Sequence, residues 1–193
     1  MSKELASDRS PLWDQITLVW SYIGSTGIVI GVCLLVAGLL LWRTRNWRLA
    51  IVPALAILMQ AVIFATTSSL VDRGRPDVSK LDESPPTTSY PSGHVGASTG
   101  LYLAFAFLAL RLHRAWLRWT LFSLCLIPPL LVTFARLYRG MHHVTDVIAG
   151  LVNGVVCAVL AAAWYHKRRQ PRRELRRTQE QPEAVPGQLS LPD

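Results

Sequence analysis

The sequence predicts an all-α protein, a polytopic membrane helix bundle of about five transmembrane helices, and three observations predict it. Of the 193 residues, 51% are apolar and 17% charged, too apolar a balance for an ordinary soluble domain. The apolar residues fall in five blocks, at about 19–41, 49–71, 94–110, 119–135 and 147–165. Each is long enough for a helix to cross the hydrocarbon of a bilayer, and irregular backbone is not tolerated against lipid. Finally, Lys and Arg are distributed unevenly among the segments that join the blocks.

Taken in order, residues 1–18 carry mixed charges and no clear signal-type start, so they are read as an N-terminal segment. The apolar run after them is too long for a cleaved signal and is read as the first span. Arg43, Arg45 and Arg48 separate it from the second. Pro53 and the pair Pro128-Pro129 fall inside the second and fourth blocks and predict kinks there. Trp20, Trp42, Trp47, Trp116, Trp119 and Trp164 lie near span ends, as interfacial anchors do. Glycine pairs one turn apart, Gly27 and Gly31, Gly96 and Gly100, Gly150 and Gly154, offer close helix approach. Cys33, Cys125 and Cys157 match no zinc or redox spacing and are read as buried small residues. Residues 19–165 make one membrane domain, and 166–193 a basic tail, expected to be disordered beyond residue 178.

The net charge of +8 does not point to nucleic acid, because of where the cations lie. Thirteen of the 20 Lys and Arg fall in three segments: 43–48, 111–118, and 167–177 after the last span. Five spans put those segments on one side, which the positive-inside rule makes cytoplasmic, with the N-terminus outside. The tail is then a topology signal that also meets anionic lipid.

The chemistry lies at the opposite ends of the spans. The long segment 72–93 and the turn between the fourth and fifth blocks emerge together there, and they carry Arg73, Arg75, Arg136 and Arg139. Guanidinium groups bind phosphate bidentately and do not lose their charge. In "PSGH", residues 91–94, a phosphate can meet backbone N–H groups and the Ser92 hydroxyl at a positive helix N-terminus. His94, in the first turn, is placed to exchange a proton with a leaving group. His142 and His143 lie four and three residues before Asp146, so either can share a face with it. A carboxylate holding one ring N–H leaves the other nitrogen as a nucleophile. Two histidines and a carboxylate can also bind a divalent cation, but crowding by arginines argues against it.

These residues resemble the type-2 phosphatidic acid phosphatase superfamily, which includes lipid pyrophosphate phosphatases and the vanadium haloperoxidases. Its pattern runs Lys, six residues, Arg-Pro; then Pro-Ser-Gly-His; then Ser-Arg, five residues, His, three residues, Asp. Arg75-Pro76 fits the end of the first part, Pro91-Ser92-Gly93-His94 the second, and Arg136, His142 and Asp146 the third. That count selects His142 over His143. Two positions depart: Ser68 stands at the lysine and Ala135 at the serine before the arginine. Many membrane members have six spans, one more than is read here, and the missing helix would precede the first motif. The resemblance implies that His142, held by Asp146, attacks phosphorus, and that His94 protonates the leaving oxygen and then activates water. It implies that Arg75, Arg136, Ser92 and Gly93 bind the phosphoryl group, with no metal or other cofactor. Arg73 and Arg139 are the candidates to replace the lysine's charge. The implied partners are a lipid phosphate or diphosphate and membrane lipid, with no nucleic acid and no protein partner. The implied place is the cell membrane, with the site on the extracytoplasmic side. The alternatives are a non-catalytic lipid-phosphate binder or transporter, which would not need His94, and a haloperoxidase using the oxyanion site for vanadate.

Overall fold

The structure, a computed structural model, describes residues 7–83 and 88–180, with side chains to residue 168. Its elements are α1 (Pro11–Ile23), α2 (Thr26–Thr44), α3 (Trp47–Ala50), α4 (Val52–Leu70), α5 (Gly93–Ala109), α6 (Ala115–Tyr138) and α7 (Val144–Glu180), with no strand among the described residues. The all-α reading stands. Four stretches, 26–44, 47–70, 115–138 and 144–168, are long and apolar enough to cross a membrane. The shorter α5 lies at the centre, packed on α4, α6 and α7.

The start of the chain departs from the expected layout. The first apolar block begins inside α1, and the helix breaks at Gly24 and Ser25 before α2 resumes. Ser10 caps α1 by accepting from the Trp13 N–H, and Pro11 fits its first turn, where the missing N–H costs nothing. At 13 residues α1 is about 20 Å long, short of the roughly 30 Å of hydrocarbon. It lies against the C-terminal half of α6, with Trp13 and Trp20 on Phe134. A side-chain carbon on Gly24 would come within 2.7 Å of Val132 and 3.0 Å of the His94 carbonyl, so the break seats the chain against both α5 and α6.

Pro53 lies inside the 47–70 stretch, in the first turn of α4, where the helix is interrupted at Ile51 after α3 and the lost N–H breaks no helical bond. Pro128 and Pro129 are inside α6. Of the glycine pairs, Gly150 and Gly154 of α7 meet the backbone of α5, whereas Gly27 and Gly31 face open space. Cys33 and Cys157 are buried, Cys125 is partly so, and all three are free thiols. The last helix continues past the expected boundary at 166 to Glu180, and the rest of the tail lies outside the described residues.

Candidate active site

The site residues expected from the sequence lie at one end of the bundle, where residues 72–83 and 88–92 run beside the ends of α6 and α7 and the start of α5. A turn at the end of α6 sets the histidine. The Gly140 N–H bonds to the Leu137 carbonyl and the Met141 N–H to the Arg136 carbonyl, with Gly140 at φ 71°. That is a Schellman closure, and it needs a residue tolerant of the left-handed region. It returns the chain so that His142 is buried just before α7 begins. On the facing helix, Ser92 is the N-cap of α5, and its own N–H bonds to the Asp146 carbonyl.

A cavity of about 750 Å³ opens between these ends. Arg75, Arg136, His94, His142 and Gly93 line its polar end, together with Asp82 and Glu83 of the loop. Ile57, Gln60 and Phe64 of α4 and Val29 and Ile30 of α2 carry it inward between the helices. Arg136 is buried, and its Nη1 donates to Ser21 Oγ and to Asp82 Oδ2, both at 2.9 Å. Its Nε and the hydroxyl of buried Ser92 have no hydrogen-bond partner among the described residues. Arg75 donates to the Met141 carbonyl at 2.9 Å.

The His142 ring is held differently from expectation. Asp146 Oδ2 is 3.9 Å from Nδ1, too far for a hydrogen bond. The ring instead bonds through Nδ1 to the Ser89 carbonyl at 2.8 Å. A carbonyl only accepts, so Nδ1 carries the proton and Nε2 keeps its lone pair. Burial first, and then the Arg136 charge, hold the His142 pKa down to about 3, so the ring is neutral at ordinary pH. Asp146, fully buried, accepts from the Ser89 hydroxyl and the His143 N–H through Oδ2, and from Arg73 through Oδ1 at 2.7 Å. Ser89 thus links the two groups, its carbonyl on the imidazole and its hydroxyl on the carboxylate.

The two candidate substitutes for the lysine are both engaged elsewhere. Arg73 bonds Asp146 and the Thr145 hydroxyl and does not line the cavity. Arg139 is buried, and all three of its nitrogens donate within the protein, to Asp82, Leu81, Asp14 and Thr17. His143 turns outward to the Gly74 carbonyl, and the Ser68 hydroxyl bonds back to Ala65 of its own helix. Neither lines the cavity.

Ser89 and Asp82 were missed in the sequence. Asp82 bridges Arg136 and Arg139 at 2.9 and 2.6 Å. Burial opposes its charge, but the Arg139 hydrogen bond and the two guanidinium charges outweigh that and keep its pKa below the usual carboxylate range. Nothing local marks either residue, since Ser89 follows two threonines and Asp82 is one of four loop carboxylates.

The chain matches the PAP2 superfamily over residues 46–170, which holds every motif. It belongs to that superfamily. It is 21% identical over 170 residues to phosphatidylglycerophosphatase B of Bacillus subtilis (strain 168), covering 86% of this chain and 82% of the relative. Among solved structures it is similar to a transmembrane PAP2-type phosphatidylglycerolphosphate phosphatase from Bacillus subtilis. That match has a TM-score of 0.79 and 21% identity, over 86% of this chain and 83% of the other. LpxE of Aquifex aeolicus follows with a TM-score of 0.62 and 21% identity, over 83% and 91%.

Proposed function

We propose that the protein is an integral membrane phosphatase acting on the phosphate monoester or diphosphate of a lipid, through a phosphohistidine at His142 and without a metal ion. Superfamily membership supports a membrane lipid phosphatase, and the Bacillus subtilis relative, curated and as a solved structure, is a phosphatase of phosphatidylglycerophosphate by name. The observation that carries the mechanism is the fixed tautomer of His142, whose proton sits on Nδ1 against the Ser89 carbonyl. A neutral imidazole with its free nitrogen at an arginine-lined cavity is a nucleophile facing an anion site.

His142 Nε2 attacks phosphorus, the P–N bond forms as the bond to the lipid oxygen breaks, and His94 gives that oxygen a proton. Water then attacks the phosphohistidine, His94 takes its proton, and the P–N bond breaks to free phosphate and neutral His142. Arg136 Nε and the Ser92 hydroxyl, both without partners among the described residues, serve the equatorial oxygens with Arg75 and the N–H groups at the start of α5. Asp146, Ser89 and Arg73 act one step back as positioning residues for His142.

Phosphate release by the purified protein from phosphatidate, phosphatidylglycerophosphate and a polyprenyl diphosphate tests the reading. His142→Ala is expected to abolish turnover and acid-quench trapping of phosphoenzyme, while His143→Ala keeps most of both. Equal loss in the two variants would overturn the assignment, and absence of release from every lipid would favour a binder.

A further inference from the structure

Gln60 is an amide in the middle of an otherwise apolar stretch of α4. It is 3% exposed and lines the cavity, yet its side chain has no hydrogen-bond partner among the described residues. Its backbone carbonyl accepts from Asn153 of α7 at 3.4 Å, and its side chain runs from α4 toward Gly96 of α5 at the cavity wall. An amide in the middle of an apolar membrane helix is costly unless it meets a partner, and this one borders the cavity. Room for the amide is made by Gly96, where a side-chain carbon would come within 2.5 Å of the Gln60 nitrogen.

Depth decides what the amide can meet. Phe64 of α4 lies level with Gly93, since a side-chain carbon on that glycine would come within 3.0 Å of its ring. Gln60 is one helical turn further in, about 6 Å, level with Gly96. A lipid whose phosphoryl group sits between Arg136, His94 and His142 therefore presents to Gln60 the part of its chain a few bonds beyond the phosphate. In a glycerolipid phosphate that part carries the ester oxygens. In a polyprenyl phosphate it is hydrocarbon with no acceptor.

Resting on the phosphatase reading for where the phosphate lies, we infer that Gln60 is a specificity-determining residue. It donates to an ester carbonyl of a diacylglycerol phosphate, favouring glycerolipid over polyprenyl substrates.

Binding of two non-hydrolysable probes, a diacylglycerol phosphonate and a long-chain polyprenyl phosphonate, tests this without relying on turnover. Gln60→Met should weaken the diacyl probe about five- to tenfold, the scale of one neutral hydrogen bond, and leave the polyprenyl probe within about twofold. Gly96→Ala, which displaces the amide, should shift the two probes apart in the same sense. Equal weakening of both probes, or no weakening of either, would make Gln60 a packing residue and overturn the inference. Release of phosphate from the corresponding natural lipids is measured alongside. A protein that binds both probes and hydrolyses neither lipid refutes the phosphatase reading, while the ratio of the probe affinities still decides the role of Gln60.

Discussion

At the scale of single residues, the site separates groups that face the cavity from groups that hold them. Arg73 is of the second kind, and its test is a split between kinetic constants. Its bond to Asp146 is charged, but the side chain is 37% exposed, so its worth falls below that of a buried pair. A loss of about 1–2 kcal/mol corresponds to a roughly five- to thirtyfold fall in kcat for Arg73→Ala. KM should stay within about twofold, and Arg73→Lys should recover part of the rate; a rise in KM with unchanged kcat would instead place Arg73 on the phosphate. The neutral state of His142 makes a second prediction. The folded protein holds this ring unprotonated to about 3, whereas the unfolded chain takes up the proton near 6.5. Between those values the unfolded state binds one proton more, so stability falls as pH falls. His142→Gln removes that difference. Its thermal midpoint in detergent should drop less than that of the unaltered protein between about pH 7 and about pH 5, and parallel curves would refute it. Arg75, Arg136, His94 and His142 on the cavity were legible in the sequence, because phosphate chemistry favours arginine and histidine, and so was Asp146 by its spacing from His142. Asp82 on the cavity and Ser89 behind it were not. Ser89 acts through its carbonyl as much as its hydroxyl, and a carbonyl leaves no trace in residue type.

Among elements, the central contact is α5 on α7, and its closeness is set by glycines on both helices. A side-chain carbon at Gly154 would lie 2.5 Å from Thr99 Cβ and 2.7 Å from the Gly96 carbonyl, neither of which can swing aside. At Gly100 the nearest atoms are at 3.8 Å, an ordinary contact. Gly154→Ala should therefore cost about 1–3 kcal/mol through forced separation of the helices, while Gly100→Ala stays within about 0.5 kcal/mol. Thermal midpoints of the two variants in one detergent check the contrast, and equal midpoints would refute it. The spacing of these pairs was readable, and so were the five apolar blocks. Their partners were not, because a glycine pair states that something approaches closely without saying what. Gly27 and Gly31 have the same spacing and approach nothing among the described residues. The break between α1 and α2 was not read from the sequence, although Gly24-Ser25-Thr26-Gly27 marks it inside the apolar block, with Gly24 closing one helix and Ser25 starting the next.

For the whole molecule, polarity is distributed along the bundle axis. One end carries Arg75, Arg136, His94 and His142 around the cavity, with loop carboxylates among them. The other carries Arg43, Arg45 and Arg48, then Arg111, Arg114 and Arg118, then Lys167 and Arg168 at the end of the described side chains. There Arg48 donates to the Arg168 carbonyl, and the Arg111 guanidinium lies 4.7 Å from the Tyr165 ring centroid, so the basic segments of three connections meet at one face. Trp42, Trp47, Trp116 and Trp119 surround that face, exposed as interfacial anchors are. Cations at the cavity end have local partners, Asp82 for Arg136 and Arg139 and Asp146 for Arg73. The cations of the opposite end outnumber those of the cavity end, and on the positive-inside rule we propose that they face the cytoplasm and that the cavity opens on the extracytoplasmic side. A cysteine-free background made by replacing Cys33, Cys125 and Cys157 allows single-cysteine labelling in intact cells. Lys80→Cys, in the exposed loop beside the cavity, should react with a membrane-impermeant maleimide. Gln170→Cys, beyond the last span, should react only after the membrane is opened. Labelling of Gln170→Cys from outside would invert the topology, and with it the leaflet from which the site draws its lipid.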